Sequence, residues 1–88
     1  MSPVRSDVLP RALYERWVRE HHAAVWRAAL RIVRDRALAD DIVARVYLRV
    51  LEQPPRLEPA ASPERLLCWL ACKEALTELR ARRRRDAR

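Results

Sequence analysis

Apolar residues at Leu38, Ile42, Val46 and Val50 recur every fourth position, with Val43, Tyr47 and Leu51 one step on. That spacing draws a wide apolar stripe down one face of a helix over Asp35–Glu52. Asp35 is placed to cap its start by accepting first-turn N–H groups. Asp40 and Asp41 lie early, near the positive end of the helix dipole. Arg45 and Arg49 share a strip on the outer side.

The same period runs upstream through Leu13, Trp17, Val18, Val25, Ala29, Ile32 and Val33, widened by Tyr14, Trp26 and Leu30. Pro10 suits the first position of that helix, where its missing N–H would have no partner. Ser6 or Asp7 is a start signal just ahead of it. His21–His22 interrupts the stripe, which predicts either one helix from Pro10 to about Arg34 or two with a bend. Arg34–Arg36 is a tight corner, so the flanking helices are antiparallel neighbours. With no glycine there, Asp35 is expected to end one helix and start the next.

Gln53–Ala61 is the one extended loop, held open by prolines. Ser62, Pro63 and Glu64 then read as N-cap, N1 and N2 of a last helix reaching about Arg84. Leu66, Trp69, Leu70, Cys72, Leu76 and Leu79 are its expected apolar stripe. The reading is an all-α fold, a compact three- to four-helix bundle over residues 10–84. A mobile N-terminus spans 1–9 and a basic tail 85–88.

Composition agrees: 88 residues suffice for one small domain, and glycine is absent. The formal net charge is +7, and of 19 basic residues all but Lys73 are arginine. Such a balance points to an anionic partner, most often nucleic acid, or simply to a well-solvated surface. Arg80, Arg82, Arg83, Arg84, Arg85 and Arg88 concentrate it at the end, where phosphates would relieve their mutual repulsion. No apolar run reaches membrane length, no secretion signal opens the chain, and a cytoplasmic protein with free thiols is expected.

Catalytic constellations are absent, so an enzyme is not expected. Cys68 and Cys72 stand one turn apart, but without a further close ligand pair the stronger reading is Cys72 in the core and Cys68 at its margin. No metal or cofactor is expected. The histidines read as a polar interruption at the helix surface. Trp17, Trp26 and Trp69 read as core anchors, with exposure of one for stacking or for a partner as the alternative.

The run from Leu13 to Glu52 resembles region 2 of the extracytoplasmic-function sigma factors of bacterial RNA polymerase. That family's pattern is Asp-x-x-x-Ala-Glu-Asp, two apolar residues, Gln-Glu, then an aromatic after one apolar residue. Asp35, Ala39, Asp40, Asp41, Ile42, Val43 and Tyr47 match, with Asp for Glu at position 40. Ser62–Arg85 resembles the family's last region 2 helix, with Arg80 matching its arginine. The resemblance covers about residues 9–85.

It implies a sigma region 2 fold acting in transcription initiation. Asp40, Asp41, Ala44, Arg45 and Leu48 would face the clamp helices of the polymerase β′ subunit. Arg56, Lys73, Thr77, Arg80, Arg82, Arg83 and Arg84 would approach the non-template strand of the −10 promoter element. An anti-sigma factor is a further partner that the resemblance allows, and a membrane is not.

The departures are specific. The family's Gln-Glu pair is Ala44–Arg45, which reverses charge at a face that meets a basic coiled coil. A family Asn is Lys73, a family Asp is Thr77, and a tryptophan usual near the last helix's start is Leu66. A region 4, which reads the −35 element, does not follow Arg88, so the expectation is an excised region 2 or a stand-alone relative. The rival readings are a sigma-like regulatory module that binds a partner without melting promoters, and a sequence-independent DNA binder that uses only its arginine tail.

Overall fold

The computed structural model describes residues 9–56 and 61–87. Three helices follow one another: α1 (Arg11–Val33), α2 (Arg36–Glu52) and α3 (Pro63–Asp86). Among the described residues there is no strand. The start signals at Ser6 and Asp7 lie outside the described residues, as do Arg88 of the expected tail and residues 57–60 of the expected Gln53–Ala61 loop.

α1 is unbroken through His21 and His22. Nothing in that stretch removes a backbone donor or adds a left-handed residue, so the polar pair changes the helix surface and not its path. Pro10 is the N-cap and not the first helical residue. Its carbonyl accepts from the Tyr14 N–H at 3.0 Å, and its ψ of 136° is extended.

The corner between α1 and α2 is divided between two residues. Arg34, at φ 54° and ψ 34°, adopts the left-handed conformation and donates its N–H to the Leu30 carbonyl. This is the place glycine usually takes, and a β-carbon there carries about 1 kcal/mol of strain or more. Asp35 does the other half. Its Oδ1 accepts from the Leu38 N–H at 3.0 Å and starts α2. So Arg34, not Asp35, ends α1. Ser62 opens α3 in the same way, accepting from the Arg65 N–H at 3.3 Å, with Pro63 at the first helical position.

The core is centred on α2. Leu38, Ala39, Ile42, Val43, Val46, Tyr47 and Val50 are buried there, against Trp17, Val25 and Ala29 of α1. Leu51, at the margin of that stripe, is exposed.

α3 presents a face different from the one its large residues suggest. Leu67, Ala71 and Ala75 are its fully buried residues. Leu66, Leu70, Cys72 and Leu79 are half-buried, while Trp69 and Leu76 face solvent at 55% and 44% exposure. The reason is steric. Alanines at every fourth position let the α3 backbone approach its neighbours closely, and each one-position shift of a stripe rotates the helix by about 100°. Trp17 is therefore buried and Trp26 half-buried, but Trp69 is not a core anchor.

Candidate nucleic-acid interface

Burial of Leu67, Ala71 and Ala75 turns the opposite side of α3 outward. At 3.6 residues per turn that side carries Trp69, Lys73, Leu76, Thr77, Arg80, Arg83 and Arg84. All of them are exposed. The Lys73 ammonium lies over the Trp69 ring, 4.5 Å from its centroid, a cation–π contact. Arg80, Arg83 and Arg84 make no ion pair among the described residues. The face is an aromatic plane followed along the helix by cations, with a hydroxyl between them.

The carboxylates of this stretch, Glu74 and Glu78, lie on the other side, toward α2. Glu74 holds Arg49 at 3.0 Å. Glu78 is a hub that receives Arg45 at 3.4 Å, Arg85 at 3.5 Å and Arg82 at 3.7 Å. Its side chain is only 17% exposed, so these contacts are screened less than ordinary surface pairs. The terminal arginines therefore divide into two sets: Arg82 and Arg85 fold back onto Glu78, while Arg80, Arg83 and Arg84 stay on the outer face.

Asp41, Ala44 and Leu48 line up on the exposed side of α2. Asp40 is turned aside, and its Oδ1 accepts from the Trp26 indole N–H at 2.8 Å, tying α2 to α1. Arg45 leans from the same side of α2 toward Glu78. Beside them runs a groove of about 530 Å³ between α1 and α2, lined by Tyr14, Val18, Val43, Tyr47, Leu48 and Leu51. Arg56 is exposed and ends the described part of the loop.

Tyr47 closes the floor of that groove. Tyr14 meets it edge-on, with ring centroids 6.0 Å apart. Its hydroxyl is buried without a hydrogen-bond partner among the described residues. Burial, and then the neighbouring Tyr14 and Cys68, push its pKa from 10.0 up to about 12. The folded chain thus keeps a proton that the unfolded chain releases, so stability falls as pH rises from about 10 to about 12. Tyr47→Phe is expected to remove that fall and to leave neutral-pH stability unchanged or about 1 kcal/mol higher, because the orphaned hydroxyl is gone. Urea denaturation at about pH 7 and about pH 11 reads both, and equal alkali sensitivity in the two proteins would contradict the assignment.

The histidines differ. His22 is exposed, whereas His21 is half-buried and joins α1 to α3 through Glu64, with Nδ1 3.3 Å from Oε1. Cys68 and Cys72 are free thiols, both half-buried. Burial, with Glu64 and Cys72 nearby, pushes the Cys68 pKa up against the opposing pull of Arg31 and Arg27, which favours the thiol over the nucleophilic thiolate. Among the described residues no helix is long and apolar enough to cross a membrane.

Of the residues that the family resemblance groups on the DNA side, Lys73, Thr77, Arg80, Arg83 and Arg84 share the outer side of α3, whereas Arg82 turns to Glu78 and Arg56 lies in the loop after α2. Residue types and spacing missed the Glu78 hub and favoured Trp69 as a core anchor. Glu78, four residues before Arg82, was the available signal for the first of these. The unbroken Leu67–Ala71–Ala75 spacing was the signal for the second.

Three helices, with a partly charged helix face toward one neighbour and a basic, aromatic-bearing face toward solvent, define a small all-α region 2-like domain. The chain belongs to the Sigma-70 region 2 family, whose model matches residues 17–85. It is 42% identical over 62 residues to the ECF RNA polymerase sigma factor SigL of Mycobacterium tuberculosis, in strains Erdman, CDC 1551 and H37Rv. That stretch is 70% of this chain and 32% of the relative, so the chain spans about a third of the length of the curated relatives it matches. No solved structure matches it.

Proposed function

We propose that this domain works in transcription initiation, docking on the β′ subunit of RNA polymerase through α2 and holding the −10 non-template strand through α3. The observation that carries the reading is the outer face of α3. Lys73, Arg80, Arg83 and Arg84 supply cations for phosphates, Trp69 and Thr77 lie among them, and the nearby carboxylates are turned away. Single-stranded nucleic acid is held by this pairing of a basic track with aromatic planes. Membership of the family and the likeness to an ECF sigma factor agree with it.

The α2 side supports the polymerase half of the proposal. Arg45 reverses the family's charge, but its guanidinium is directed to Glu78. The partner would therefore meet Asp41, Ala44 and Leu48, an acidic and apolar surface suited to a basic, partly apolar helix pair. Asp40 contributes less, because Trp26 already occupies one of its oxygens.

At fixed salt, the 88-residue chain should bind a single-stranded −10-like oligonucleotide more tightly than a scrambled strand. A β′ clamp-helix fragment should capture it, and Asp41→Arg should weaken that capture about tenfold or more, by placing like charges together. Capture of the chain without any preference among strands would favour the regulatory-module reading instead. Failure of both capture and strand preference would remove the sigma-type role.

A further inference from the structure

We propose that Trp69 is a base-stacking platform and that Lys73 is a movable cover over it, displaced when a base of single-stranded DNA stacks on the indole. This rests on the reading of α3 just given, and it adds one contact that the shared pattern of the family does not assign.

An indole this exposed on a packed helix is unusual, since tryptophan is mostly buried and tends to mark contact surfaces when it is not. Trp69 is 55% exposed. The core does not need it, because Leu67 and Ala71 fill the side of α3 that faces the other helices. What surrounds it selects the partner. Lys73 stands 4.5 Å from the ring centroid, and Arg80 and Arg84 follow on the same side. From Trp69 to Arg80 the helix advances about 17 Å, at 1.5 Å per residue. No carboxylate interrupts that stretch of the face. A cation-lined aromatic complements a polyanion that carries flat rings, which is single-stranded nucleic acid; a neutral apolar protein surface would leave the cations unpaired.

Relative strengths give the order of events. An exposed cation–π contact is weaker than a base stacked on an aromatic ring. A base therefore replaces the Lys73 ammonium over the indole, and the freed ammonium reaches the adjoining phosphate. Stacking accepts any base, so Trp69 supplies affinity and not sequence choice.

The test compares wild type, Trp69→Leu, Trp69→Phe and Arg80→Gln with −10-like and scrambled single-stranded oligonucleotides, and with a duplex of the same sequence. Substitution at an exposed position leaves the fold intact, which thermal melting verifies. Trp69→Leu should weaken both single strands by the same factor, about tenfold. Trp69→Phe should restore most of that loss, and duplex binding should not change. Indole emission should be quenched by single strands in wild type and not in Trp69→Leu, since Trp17 is buried and Trp26 half-buried. Affinity unchanged in Trp69→Leu and wild-type emission unquenched by single strands, with Arg80→Gln still weakening binding, would overturn the stacking platform and leave the α3 reading standing. If Arg80→Gln also has no effect, the α3 reading itself falls.

Discussion

Ile42→Ala is expected to destabilise the domain by about 2–5 kcal/mol. Ile42 is completely buried at the centre of α2 and is among the largest side chains excluded from solvent. Truncation removes its transfer energy and leaves a void that three packed helices close only in part. Small domains hold about 5–15 kcal/mol in total, so this one change removes a large share. Urea denaturation measures it. Leu76→Ala on α3 is the control: Leu76 is 44% exposed, and its loss should cost well under 1 kcal/mol. Equal effects at the two positions would mean that the helices pack around a different centre.

Removing charge from the outer face of α3 should affect DNA binding as strongly as Ile42→Ala affects stability. Arg80, Arg83 and Arg84 make no ion pair among the described residues, and Lys73 leaves only a cation–π contact to meet a phosphate. On a single strand each phosphate contact contributes about 0.7 to the slope of log affinity against log salt. Replacing all of them with glutamine should make that slope shallower by about 3 and lower affinity at moderate salt by roughly 100-fold. The paired substitution Arg82→Gln with Arg85→Gln should matter less, because those guanidinium groups already share Glu78. Filter binding or anisotropy over a salt series reads both variants. A larger loss from Arg82 and Arg85 than from the outer set would place the strand on the inner side.

The contrast between those two sets also shows where sequence patterning works. α2 was readable because branched apolar residues repeat at every fourth position and a capping aspartate precedes them. Ser62–Pro63 marked the start of α3 equally well, since each residue type there has one dominant local role. The packed face of α3 was harder. Its contact surface is made of alanines, whose value lies in how closely they let backbones approach, and hydrophobicity ranks them below Trp69 and Leu76. Arg34 gave no signal either, because an arginine in a left-handed turn is decided by the meeting of two helices and not by its own preference.

Charge pairing was legible in composition but not in partnership. The tail reads as one uniform block of arginines. Its division depends on Glu78, which meets Arg82 and Arg85 from its own helix and Arg45 across the bundle. That last contact changes the meaning of Arg45. On the sequence alone it opposes docking on a basic partner, while in the fold its guanidinium turns toward Glu78, a carboxylate it shares with Arg82 and Arg85, and Asp41 is left forward. The same geometry ties one oxygen of Asp40, which stays exposed, to the Trp26 indole.

Amide and indole chemical shifts, followed by NMR as a −10-like single strand is titrated into the 88-residue chain, locate the bound strand residue by residue. Binding on the outer side of α3 predicts the largest changes at the Trp69 indole N–H and along Lys73, Thr77, Arg80 and Arg84, with Arg45, Arg49 and Glu78 nearly still. Changes gathered on Arg45, Arg49, Arg82 and Arg85, or none above those caused by a scrambled strand, would contradict it.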